Sequence, residues 1–199
     1  DGADIIRGLG GNDIINGGDG DDNLAGDGAS AYNGLSGNDV ISGGAGNDLM
    51  RGGAGVDSFD GGEGDDDRVS FYSPWATQAV VANLITQTIS NDGFGNAETM
   101  TGVEGLGAGT VFADTFIGND VANTLLGDTG DTITANGGDD NIFIAGAPAI
   151  VDGGSGIDTI VLSQTLTLQP DNNGDGAAEE VESTAGYVVN LQTGTLQDE

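Results

Sequence analysis

The chain has 199 residues, 39 of them Gly and 3 Pro, with no His and no Cys. Its 33 acidic residues outweigh 3 basic ones (Arg7, Arg51 and Arg68), a net charge of −30 that repels nucleic acid and anionic membranes and invites divalent cations. The missing His and Cys exclude zinc and thiol chemistry. No apolar run approaches the roughly 20 residues of a membrane span, and no signal peptide is visible.

Glycine this dense, without a Gly-X-Y period, would by default suggest disorder. A nine-residue period argues otherwise. Residues 43–60 read GGAGNDLMR and then GGAGVDSFD, the unit Gly-Gly-x-Gly-x-Asp-x-apolar-x given twice. The first six positions predict a tight turn. Glycines there permit positive φ and close backbone approach, so that carbonyls can converge on one point, and Asp adds a charged oxygen. Calcium takes six to eight such oxygens. The last three positions predict a short strand with one side chain pointing inward. Two units then make a coil of roughly 18 residues with a strand on each side, and coils stack at the strand-pairing distance.

The first array runs over 1–68. Its position-six acids are Asp4, Asp13, Asp22, Asp39, Asp48, Asp57 and Asp66, and its inward residues are Ile6, Ile15, Leu24, Ile41, Met50 and Phe59. Candidate calcium ligands are these acids together with the first and third turn positions. Those are Gly8 and Gly10 before Asp13, Gly17 and Asp19 before Asp22, and Gly34 and Ser36 before Asp39. Gly43 and Ala45 precede Asp48, Gly52 and Ala54 precede Asp57, and Gly61 and Glu63 precede Asp66. The chain opens at the motif's third position, without the leading Gly-Gly, which suggests a piece of a longer protein. Residues 26–33, GDGASAYN, form a unit one residue short, for which a bulged coil with Tyr32 pointing inward is expected. In the last unit Arg68 takes the apolar position and Val69 follows, which marks the end of the array.

This run of units resembles the RTX, or haemolysin-type, calcium-binding repeats of secreted bacterial proteins. The resemblance implies an all-β fold, a right-handed parallel β-roll or β-solenoid. It also implies export through a one-step (type I) secretion channel and folding triggered by calcium outside the cell, so a secreted or cell-surface location is expected.

Residues 69–106 read as a non-calcium β insert that continues or caps the solenoid, with strands near 69–72, 79–85 and 87–90 and a loop over 90–98. Trp75 and Tyr72 have two readings, a stacking platform for a sugar or a core cluster covering the end of the roll. The core cluster is the expectation. A second, degenerate array covers 107–162. Asp114, Asn123, Asp131, Asp140 and Asp158 carry its frame, and Phe116, Leu125, Ile133, Ile142, Val151 and Ile160 point inward. Most Gly-Gly pairs are gone, so fewer ions are expected there, with Asp140 and Asp158 in the competent units. Pro148 falls between repeats, where its missing N–H is tolerable.

Residues 163–199 begin a second insert: VVNLQTGTLQDE (188–199) aligns without gaps to VANLITQTISND (81–92). Within it, DNNGDGAAEEVE matches an EF-hand loop at Asp171, Asn173, Asp175 and Glu182. The strand-like TLTLQP before it is wrong for an EF-hand, so a loop-only calcium site and a solvated acidic loop both fit.

No nucleophile–base arrangement is available without His, Lys or Cys. Among 33 acids some carboxylate pair always has a hydrolase's separation, so that feature carries no weight. Three functions stay open: a calcium-dependent structural module folding after secretion, an adhesin or surface-layer segment contacting glycan or neighbouring copies, and the non-catalytic part of a secreted enzyme. On the order of five to ten calcium ions are expected from the ligand count each ion needs.

Overall fold

In a computed structural model, residues 2–28, 36–146, 150–162 and 188–190 are described. They contain strands and turns and no helix. One sheet takes β1 (Ile5–Leu9), β3 (Asn23–Asp27), β5 (Leu49–Arg51), β7 (Arg68–Ser70), β11 (Gly105–Gly107), β13 (Thr124–Asp128), β15 (Asn141–Ala145) and β17 (Thr159–Leu162) in that order. The facing sheet starts with β2 (Ile14–Asp19), β4 (Val40–Ala45) and β6 (Ser58–Glu63). It continues through β10 (Glu98–Thr101), β9 (Thr88–Asp92) and β8 (Val80–Asn83). It ends with β12 (Thr115–Ile117), β14 (Thr132–Thr134), β16 (Ile150–Asp152) and β18 (Val188–Asn190). Strands alternate between the sheets except for β8, β9 and β10, which share one, and neighbours within a sheet run parallel except around β9. This is a parallel β-roll.

The inward apolar residues stack in register, Ile6 on Leu24 on Met50 on one side and Ile15 on Ile41 on Phe59 on the other. The column continues into the second array through Leu125 on Ile142 on Ile160, and Phe116 on Ile133 on Val151. All are buried except Ile6 and Ile160, which are half-buried. Phe116 is fully buried and stacks on Phe71 at 5.8 Å between ring centres. Phe116→Ala should therefore cost about 3–5 kcal/mol, read as a lower urea midpoint in saturating calcium.

Three places depart from the nine-residue reading. First, Ile41 pairs with Ile15 and Met50 with Leu24, each a step of 26 residues where an ordinary coil takes 18. The short unit thus adds no rung between β2 and β4, and sheet alternation is preserved. Tyr32 and Gly34 lie outside the described residues. Second, Val69 pairs with Met50 and Asp67 takes the buried acid position, so the last turn is one residue longer than nine. Asp66 and Arg68 flank these positions instead. Asp66 makes the one ion pair among the described residues, 3.7 Å from Arg68.

Third, the insert continues both sheets. One strand, β11, extends the first sheet, whereas β10, β9 and β8 extend the other, with β9 antiparallel to both neighbours. Tyr72 and Trp75 are not a core cluster. They stand 60% and 43% exposed, because β7 ends at Ser70 and the chain leaves the roll there. Pro148, Asp171, Asn173, Asp175 and Glu182 lie outside the described residues.

Candidate calcium-binding turns

Each position-six acid sits at the base of its turn and faces its counterpart one coil away. On one edge the N–H of Asp4 donates to Asp22 Oδ1 at 2.7 Å, Asp22 to Asp48 at 2.8 Å, and Asp48 to Asp67 at 2.7 Å. On the other edge Asp13 donates to Asp39 at 2.9 Å and Asp39 to Asp57 at 2.8 Å. The rungs carry on through Glu98 and Glu104, which accept from Asp57 and Asp67. In the second array Asp114 donates to Asp131, Asn123 to Asp140 and Asp140 to Asp158. One oxygen of Asp22, Asp39, Asp48, Asp57, Asp67, Asp131, Asp140 and Asp158 therefore holds the stack together.

The second oxygen is left over. Oδ2 of Asp13, Asp22, Asp39, Asp48, Asp57, Asp67 and Asp140 is buried and accepts no hydrogen bond. The first glycine of each turn explains where it points. A Cβ on Gly17 would collide with Asp22 Oδ2 and lie 2.6 Å from the Gly43 carbonyl oxygen. A Cβ on Gly43 would meet Asp48 Oδ2 and the Gly61 carbonyl, and one on Gly8 would meet Asp13 Oδ2 and the Gly26 carbonyl. Glycine is required because carboxylate and carbonyl crowd the same point. A buried carboxylate oxygen without a donor, close to a turn carbonyl, offers two of the oxygens that a calcium ion needs. No three carboxylates converge among the described residues. The seats combine single carboxylates with carbonyls, which a hard oxygen-seeking ion such as calcium accepts.

Burial pushes Asp57, Asp67 and Asp140 up to about 6, against the lowering effect of their main-chain hydrogen bonds, and neighbouring carboxylates add to the rise. Asp39 and Asp48 are raised for the same reasons. Glu98 reaches about 10 through burial and the charges of Asp57 and Asp92.

The second array supplies an internal contrast. Asp131 Oδ2 accepts the Asp128 N–H at 2.7 Å, and Asp114 Oδ2 accepts the Thr110 N–H. Asn123 donates through Nδ2 to the Glu104 carbonyl at 3.0 Å. The chain's own donors satisfy these positions and leave no seat.

Gly52 is buried against Asp57. Gly10, Asp19, Ser36 and Glu63 are exposed, and Ala45 and Ala54 half-buried. The carbonyls of Asp19, Ala45 and Glu63 accept the N–H groups of Gly2, Gly20 and Gly46. Asp4 is exposed, and Asp158 is half-buried and bonded to Asp140 N–H. Two residues escaped the spacing. Gly26 stands against the Asp39 carboxylate, in the place expected of Gly34, and Asp67 replaces Asp66. Val69, apolar and next to an Arg at an inward position, was the signal for the second.

The family model for the RTX calcium-binding nonapeptide repeat matches residues 1–30 and 33–67 in four copies. The break falls in the short unit that the strand register bypasses. No curated protein matches the chain. Repeat and roll agree: residues 1–30 and 33–67 are RTX calcium-binding nonapeptide repeats.

Proposed function

We propose that this chain is a structural module that folds on calcium after secretion and rigidifies an extracellular protein. The observation that carries the reading is the set of buried Oδ2 atoms without partners, six of them in the first array. The ligands would be Asp13, Asp22, Asp39, Asp48, Asp57 and Asp67 with the facing turn carbonyls, and Asp140 in the second array. Without an ion these turns hold acceptor against acceptor, and the net charge of −30 drives the coils apart. Binding free energy is then folding free energy. Extracellular calcium modules bind at about 10⁻⁴–10⁻³ M, so the chain stays unfolded in calcium-poor cytosol and closes outside.

Equilibrium dialysis against radioactive calcium should count on the order of five to ten ions, most of them lost when residues 1–68 are deleted. A count of one or two would overturn the reading. The exposure of Tyr72 and Trp75 also favours a contact role for the insert.

A further inference from the structure

The insert replaces one turn of the roll, and a cavity of about 280 Å³ opens at that place. Its walls include Asp27, Arg51, Tyr72, Trp75, Asp92 and Glu98. Two polar atoms in this wall lack partners. Asp27 is 5% exposed; its Oδ2 accepts the Ala54 N–H at 2.9 Å, and its Oδ1 is buried and unbonded. Arg51 lies over the Tyr72 ring at 5.9 Å and keeps a buried Nε without an acceptor. Asp92 is already occupied, accepting from Phe94 and Asn96. An orphaned acceptor and an orphaned donor therefore share one cavity beside two aromatic side chains.

Charge and geometry narrow the occupant. Two carboxylates in the wall, Asp27 and Asp92, oppose an anion. A metal ion would meet the Arg51 guanidinium in the same wall. A purely apolar molecule would leave Asp27 Oδ1 and Arg51 Nε unpaired, at the usual cost of buried polar groups. We propose that this cavity binds one ring of a neutral saccharide, whose hydroxyls donate to Asp27 Oδ1 and accept from Arg51 Nε while its C–H face packs on Tyr72 and Trp75. Aromatic rings suit this because they offer a flat apolar face with little side-chain entropy to lose. The proposal goes beyond calcium-driven folding but needs the folded chain.

Trp75 is the chain's single tryptophan, so its fluorescence reports on this place alone. The full chain, saturated with calcium, would be titrated with cellobiose, lactose, maltose and mannobiose, and with galacturonic acid as the anionic control. A saturable change with at least one neutral disaccharide is expected, near the millimolar range. Tyr72→Ala and Asp27→Asn should each weaken it by about tenfold, a change worth about 1.4 kcal/mol. Circular dichroism on the same samples separates loss of the roll from loss of the site. No response from any neutral sugar up to about 100 mM in a folded chain would overturn the proposal. So would tighter binding of galacturonic acid, or affinity unchanged in both folded variants.

Discussion

Asp48→Ala and Asp48→Asn should change stability in opposite directions once calcium is removed. Asp48 Oδ1 accepts the buried Asp22 N–H at 2.8 Å, while Oδ2 is buried without a donor, and both it and the Gly61 carbonyl stand close to Gly43. Alanine orphans the Asp22 N–H, a loss of about 1–3 kcal/mol with or without calcium, and also deletes a carboxylate ligand. Asparagine can keep Oδ1 on the Asp22 N–H and place an amide donor where the unpaired Oδ2 stands. In chelator Asp48→Asn should therefore be more stable than the parent, and in saturating calcium less stable with one ion fewer. Urea unfolding in both conditions reads this. Equal losses for the two variants in chelator would mean that Oδ2 is not held against an acceptor.

Acid should partly replace calcium. Asp57, Asp67 and Asp140 are pushed up to about 6 in the folded chain by burial, against ordinary values of 3.8 when unfolded. The folded state thus binds more protons between these limits, and stability falls as pH rises through them. This contribution is fully present below pH 3.8 and is lost as pH passes about 6. Glu98, pushed to about 10, keeps its proton throughout that window. In chelator, β signal should appear as pH drops from about 7 to about 4, read by circular dichroism. Calcium affinity should move the opposite way and weaken on acidification, because ligands must shed protons to bind. A chelated chain whose β signal ignores pH would contradict the burial of these carboxylates.

The roll was legible because its period is physical. An inward apolar residue every nine positions must land on alternate sheets, and Ile15, Leu24, Ile41, Met50 and Phe59 do so. The degenerate array was legible through the same strand side, since Phe116, Leu125 and Ile133 fill the core with or without ions. Register failed where glycine and aspartate are repeated. In GGEGDDDRV three acids in a row fit the buried position, and only the pairing of Val69 with Met50 selects Asp67. Gly26 was missed because a counted repeat assumes that every unit adds a rung, whereas the ladder steps from Ile15 to Ile41. The antiparallel β9 leaves no trace in an alternating pattern, because strand direction is invisible to it. Tyr72 and Trp75 looked like core by residue type alone. Their exposure follows from the chain leaving the roll after Ser70.

Far-UV circular dichroism during a calcium titration, starting from chelator at about pH 7 with magnesium as control, tests ion-driven folding most directly. The expected result is a cooperative gain of β signal between about 0.1 and 10 mM calcium that magnesium does not reproduce. A chain with its full β signal already in chelator would contradict it, and would make the roll a standing scaffold on which calcium is only a decoration.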